Sequence, residues 1–301
     1  MTEMRIIRYF FLECIVLWTS VTGISAQSLN YSVVPVSAGW TAMAGTGVGV
    51  AGGDGIQWNR VAQVSMSEKK AGTSISYGNW QPELSDKHPL STSVFYNLNQ
   101  RFTFTLGMVH FNGNKITFQD DQGNPLETYR SKESVLGAGF GYRILSGLSV
   151  GLSVDYTSFQ LGPDVSNSAV GFDLSAMYNS GNLRVGALAC DLGSADLPGR
   201  GAVAVSYELT PAMNHEVVVQ SETGFVFSTK SVSSGLGFRY TSFDLISVSA
   251  GYYLGNKEDY IPSHVSLGTG IHFRGVSIDC AYLLFDSDRG NSWIATLSYN
   301  L

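Results

Sequence analysis

Leu148-Ser149-Val150-Gly151-Leu152-Ser153-Val154-Asp155-Tyr156-Thr157 alternates without a break between apolar residues and small or polar ones. A period of two belongs to an extended strand, whose successive side chains point to opposite faces. One face of this strand is therefore apolar, and the other is built from Ser149, Gly151, Ser153, Asp155 and Thr157. The same pattern recurs on either side of it. Phe102, Phe104, Leu106 and Met108 alternate with Thr103, Thr105 and Gly107, and Val265, Leu267, Ile271 and Phe273 with Ser266, Gly268, Gly270 and His272. Val276, Ile278, Cys280, Tyr282 and Leu284 alternate with Ser277, Asp279 and Ala281, and less cleanly with Leu283. About fourteen such segments run from near residue 70 to the end, each close to the ~9–11 residues of a tilted membrane strand. Turn signals separate them, among them Asn97-Leu98-Asn99, Ser146-Gly147, Ser180-Gly181-Asn182 and Arg274-Gly275. No stretch of this region carries a helical period.

A large β-sandwich would alternate as well, so composition and placement decide between them. Charged residues are 14% of the chain, below the roughly 25% of an average soluble domain. Glycine supplies 34 of 301 residues, above the usual share of about 7%. Aromatic residues cluster at strand ends (Tyr77, Trp80, Tyr96, Tyr142, Tyr156, Tyr178, Tyr240, Tyr252, Tyr253, Tyr282), as interfacial girdles require. The second face is glycine and serine rather than aliphatic, which suits a water-facing or tightly filled lumen better than a dry core. The last strand, through Trp293, Ala295, Leu297, Tyr299 and Leu301, reaches the final residue and would be an aggregation edge unless it closed onto the first. The expected fold is all-β, a transmembrane outer-membrane antiparallel barrel of about fourteen strands over 67–301. A net charge of −6 with no Lys/Arg-rich stretch argues against nucleic-acid binding.

The N-terminus has the layout of a cleavable signal peptide. Arg5 and Arg8 precede a short apolar core from Tyr9 to Trp18, interrupted by Glu13, and Ile24-Ser25-Ala26 offers small residues before Gln27. The apolar run is shorter than the ~20 residues of a spanning helix. Residues 1–26 are thus read as an export signal, cut near Ala26, and Cys14 leaves with it. The two other cysteines, Cys190 and Cys280, sit singly in separate strand-like segments and are expected to be free thiols, buried or lipid-facing.

From Ala42 the run Ala42-Met43-Ala44-Gly45-Thr46-Gly47-Val48-Gly49-Val50-Ala51-Gly52-Gly53-Asp54-Gly55-Ile56-Gln57-Trp58-Asn59-Arg60-Val61-Ala62 resembles the amino-terminal signature of FadL-related outer-membrane proteins, and of the PorV/PorQ group in particular. In that group Trp-Asn is followed by Pro-Ala; here Arg60-Val61 stands in their place. The stretch Ile116–Leu126 with Ser134-Val135-Leu136-Gly137 and Gly141-Tyr142 is similar to that group's extracellular hairpin and following strand. Ser74–Pro82 and the run from Gly251-Tyr252 to Tyr282 are similar too, so the likeness covers nearly the whole chain after the signal, in order. It implies a fourteen-stranded FadL-type barrel with residues 27–66 as a short plug inside the lumen, Asp54, Trp58 and Asn59 carrying the plug motif. It also implies an accessory role in the type IX secretion system of Bacteroidetes. Such proteins receive the C-terminal β-domain of secreted cargo and pass it to the surface attachment machinery, in company with the translocon and a sortase-like peptidase.

Motifs of catalysis and cofactor binding are weak. Gly47-Val48-Gly49-Val50-Ala51-Gly52 matches a dinucleotide fingerprint in letters, but that fingerprint acts where a helix opens after a strand, and Gly53-Asp54-Gly55 opposes a helix. The acidic turn Asp120-Asp121-Gln122-Gly123-Asn124 has the chemistry of a hairpin turn and lacks the distant Glu of a calcium loop. His88, His110, His215, His264 and His272 never fall at ligand spacing, and His272 reads as an interior residue. The expectation is a protein that is not an enzyme and has no cofactor or metal. On the secretion reading, cargo meets exposed loop positions: Trp80, Gln81, Pro82, Phe118, Asn124 and Pro125. The alternative is a FadL-like transporter of hydrophobic small molecules, with an apolar pocket near Val48, Val50, Ile56 and Trp58. A lumen face that is small and polar stands against it.

Overall fold

The computed structural model describes residues 36–301 apart from 51–57, 84–86, 120–121, 123–124, 161–165, 195, 256–260 and 286–288. The signal-peptide reading and Asp54, Ile56, Asn124 and the turn Asp120-Asp121 lie outside the described residues. Alternation dictates strands, and the strands form: β1 (Ala71–Asn79), β2 (His88–Leu98), β3 (Phe102–Gln119), β4 (Pro125–Leu145), β5 (Leu148–Gln160), β6 (Ser166–Ser180) and β7 (Leu183–Leu192). They continue as β8 (Arg200–Ala212), β9 (His215–Val226), β10 (Ser231–Ser242), β11 (Ile246–Leu254), β12 (His264–Phe273), β13 (Val276–Leu284) and β14 (Ser292–Asn300). Each pairs antiparallel with its chain neighbours, and β14 pairs with β1 from Gly72↔Asn300 to Asn79↔Trp293, closing the barrel. Closure leaves no open edge.

The burial of β5 follows the sequence alternation residue by residue. Ser149, Gly151, Ser153, Asp155 and Thr157 are buried, while Leu152, Val154 and Tyr156 are 42–52% exposed. The same holds around the ring: Ile75, Phe104, Leu106, Phe140, Leu174, Val203, Leu236, Leu267, Ile278 and Leu297 all stand outward. A continuous apolar outer band with backbone groups paired between strands is the form in which a sheet can face lipid. Among the described residues no helix is long and apolar enough to cross a membrane. Leu152→Arg should therefore destabilise the barrel by about 2–4 kcal/mol in denaturant titrations in phospholipid vesicles, the cost of a cation on the lipid face. An unchanged midpoint would remove Leu152 from the lipid.

Short turns collect at one end, as at Gly181-Asn182 and at Arg274-Gly275, where φ is 49° and 85° as a tight hairpin of type I′ requires. The longer loops collect at the other end. Two expectations shift. The turn read at Asn97-Leu98-Asn99 falls at 99–101, because Asn97 points inward, its Nδ2 donating to the Lys69 carbonyl at 2.7 Å and its Oδ1 accepting from Thr103. And β3 and β4, at 18 and 21 residues, outgrow a membrane strand. Beyond Met108 and Leu136 the outward positions turn polar, with His110 and Ser134 hydrogen-bonded to each other at 2.8 Å, so the hairpin continues past the apolar band.

Candidate functional site

The lumen is the one enclosed space such a barrel offers, so its contents decide what it can do. Its lower part is filled by the chain's own residues 36–50 and 58–66. These include two short helices, α1 (Ala38–Thr41) and α2 (Val61–Ser65). From α1 the segment follows the wall: Ala38 N donates to Thr296 Oγ1 of β14 at 2.8 Å, and Ala44 N to Ser266 Oγ of β12 at 2.9 Å. Farther round the wall it meets β9, and its second stretch takes Ala62 N to Ser175 Oγ of β6 at 3.1 Å, Ser149 Oγ of β5 to the Ala62 carbonyl at 2.7 Å, and Arg143 Nε of β4 to the Ser65 carbonyl at 2.9 Å. Thr296, Ser266, Ser175 and Ser149 of the inner face are thus hydrogen-bond partners of the packed segment.

The inner glycines have the same cause. A methyl group on Gly137 would overlap the Trp58 indole, and one on Gly186 would overlap the Val48 carbonyl. On the opposite wall a Cβ at Gly251 would stand 2.6 Å from Ala44 N and one at Gly237 2.7 Å from Met43 Cβ. Of the transporter-pocket residues, Val48 is fully buried against Leu188, Cys190 and Ala204, Trp58 is buried between β3 and β4, and Val50 is half-buried. Asn59 is buried, its Nδ2 at 3.7 Å from Cys190 Sγ. Cys190 and Cys280 are free thiols, the first inside and the second outward.

One polar centre ties the segment to the wall. Glu222 Oε2 on β9 accepts from the backbone N–H groups of Gly47 and Val48, each at 2.9 Å. Arg60 lies buried with its guanidinium 4.4 Å from the Trp40 ring centre, so it clips the two halves of the segment together. Burial lowers its pKa from the usual arginine value, and Glu222 opposes that by favouring the charge. Sequence reading marked Arg60 only as a departure from Pro, and passed over Glu222.

The upper lumen, toward the long loops, differs. Val109 and Phe111 of β3, Val135 of β4, Ala169 of β6, Leu197, Leu283 of β13, Trp80, Trp58 and Val36 form one apolar cluster, with Phe159, Ile261 and Phe285 packed against it. The expectation of a lumen with few large apolar groups therefore holds only where the segment lines the wall. Toward the long loops large side chains occupy the space, with Val36 and Trp58 of the segment among them. The signal was present in the sequence as broken alternation, in Met108-Val109-His110-Phe111 and at Leu283. Trp80 and Gln81, expected in an exposed loop, are buried: Trp80 meets Phe285 edge-on at 5.3 Å, and Gln81 N donates to Ser292 Oγ at 2.8 Å. A cavity of about 10 Å3 lies beside Trp80, Leu283 and Ile294, room for about one water. Pro82 sits in the same loop, while the side chains of Phe118 and Pro125 and all of Asn124 lie outside the described residues.

Two acidic features border this chamber. Glu133 is buried and held by Lys87 at 3.0 Å. Asp155, Asp173 and Asp191, all buried, bring carboxylate oxygens within 4.8 Å of one another. Ser153 Oγ and Asp191 N donate to Asp173, at 3.0 and 2.9 Å, and Arg200 Nε stands 4.0 Å from Asp191. Three carboxylates are hard-cation donors, and with one oxygen each they supply three of the six to eight that calcium takes. His272 is an interior residue bonded to Ser247 and Ser277 Oγ, each at 3.1 Å.

No protein-family model and no curated protein sequence matches the chain. Solved structures do. The toluene transporter TodX of Pseudomonas putida aligns at 14% identity with a TM-score of 0.65, over 88% of this chain and 98% of that one. A second structure of the same transporter aligns at 14% identity and TM-score 0.64, over 93% and 99%. A FadL homologue of Pseudomonas aeruginosa aligns at 13% identity and TM-score 0.57, over 89% and 99%. At such identities the likeness is one of fold: the chain is a transmembrane β-barrel with the FadL-type outer-membrane fold.

Proposed function

We propose that this chain is an outer-membrane channel for apolar small molecules, with residues 27–66 as its plug and 1–26 as its export signal. The observation that carries the proposal is the apolar chamber of Val109, Phe111, Val135, Trp80 and Leu283 in the upper lumen, directly above the polar, segment-filled half. A membrane barrel has no need of large apolar side chains on its inner face for stability against lipid; a hydrophobic ligand entering from outside does need them. The fold neighbours lend support, since those named for their cargo are a toluene transporter and a monoaromatic hydrocarbon channel. Catalysis has no part in this reading. Expression of the full chain in cells lacking other hydrophobic-compound channels should speed uptake of labelled dodecane over cells with empty vector. Val135→Asp, which sets a charge in the chamber, should abolish the gain with the barrel still folded. Uptake equal to the empty vector would end the proposal.

A second reading keeps the chain in type IX secretion, as the PorV/PorQ resemblance implies. The observation favouring it is the β3–β4 hairpin, which extends past the apolar band as a docking strand pair would. There Phe118, Asn124 and Pro125 with Pro82 would meet the C-terminal β-domain of cargo, and the translocon and sortase-like peptidase would be partners. Trp80 and Gln81, the other two positions of this reading, are buried at the base of the same loop as Pro82. A mild-detergent pull-down that recovers secreted proteins sharing a C-terminal β-domain would favour this reading; recovery of the barrel with lipid alone would remove it.

A further inference from the structure

Resting on the proposed passage of apolar molecules, we infer that the upper chamber selects apolar ligands whose polar end donates a hydrogen bond, an alcohol or an amine, and rejects carboxylate anions such as those of fatty acids. Glu133 lies on β4 beside the apolar cluster. In the strand ladders it stands directly opposite Phe111 on one side and Phe159 on the other, so its side chain shares their inner row within the apolar cluster. Its Oε1 takes Lys87 Nζ at 3.0 Å, while its Oε2, fully buried, has no hydrogen-bond partner among the described residues. A buried acceptor left open in apolar surroundings is under-satisfied, and a donor brought by a ligand restores what desolvation removed.

Charge points the same way. Lys87, whose Nζ lies 5.9 Å from the Phe111 ring centre, is committed to Glu133. On the far side of the chamber a Cβ at Gly171 would stand 2.9 Å from Asp155 Oδ1 and 3.0 Å from Leu197 Cδ1, which places the aspartate group directly under the cluster. An entering carboxylate therefore meets Glu133 and the group of Asp155, Asp173 and Asp191, with Arg200 as the cation beside the latter. In a low-dielectric lumen like charges repel far more than in water.

The test is a chain-matched set of labelled probes, dodecanol, dodecylamine, dodecanoate and dodecane, taken up by cells carrying the full chain or the empty vector. Dodecanol and dodecylamine should enter roughly tenfold faster than dodecanoate after subtraction of the vector, about what one recovered hydrogen bond is worth. Glu133→Gln, which keeps an oxygen but removes the charge, should narrow the gap between dodecylamine and dodecanoate. Dodecanoate uptake equal to or above that of the alcohol overturns the inference while leaving the channel intact. Uptake of none of the four above the vector overturns the channel itself.

Discussion

Glu222→Ala should free the lumen segment while leaving the barrel closed. The carboxylate does two things at once: it caps the N–H groups of Gly47 and Val48 and supplies the negative charge nearest in effect to the buried Arg60. Removing the acceptor of two charge-assisted hydrogen bonds costs about 3 kcal/mol, since a hydrogen bond to a charged group is worth about 1.5–3 kcal/mol. The strand itself loses little, since residue 222 still pairs through its backbone with Ala204 on β8 and Gly235 on β10. The expected result is a heat-modifiable, folded barrel whose residues 36–66 are cut by added protease and which conducts ions in planar bilayers, while the parent protein resists both. Glu222→Gln should lie between them, because an amide oxygen can still accept one of the two N–H groups but offers Arg60 no charge. Equal protection in all three proteins would show that the segment is held elsewhere.

The second large effect comes from adjacent residues on opposite faces of β4. Gly137→Val should cost about 3 kcal/mol or more, as overpacking into a site that cannot relax does. The neighbouring Ala138→Val should be close to neutral. Any side chain at Gly137 runs into the Trp58 indole, whereas Ala138 faces outward. Urea titrations in lipid vesicles give both values. Adding Trp58→Ala should recover much of the loss at Gly137, because the two positions share one contact and are not independent. If the two valine variants unfold at the same urea concentration, the inner glycines are not there to admit the segment.

These effects show how far the sequence can be read. Leu148–Thr157 alone carries the strand, its two faces and the chemistry of each, because a two-residue period maps directly onto inside and outside. The parity extends to residues that were misplaced: with Ile75 and Tyr77 outward, Trp80 must point inward, and it does. It was read as a loop aromatic because aromatics at strand ends are common in girdles. The apolar chamber was faintly legible at Phe111 and Leu283, where both faces of a strand turn apolar. Glu222 was not legible at all. Its partners are backbone amides 174 and 175 residues away, and nothing in its own surroundings marks it.

The central claim, that apolar molecules enter this lumen, is tested most directly by photolabelling the protein in vesicles with a diazirine-bearing alkane and locating the adducts by mass spectrometry. The claim predicts adducts on the inward residues Val109, Phe111, Val135 and Leu283 that disappear when unlabelled dodecane competes. Adducts confined to outward neighbours such as Met108, Leu136 and Tyr282 would contradict it, and would leave the chamber as packing alone.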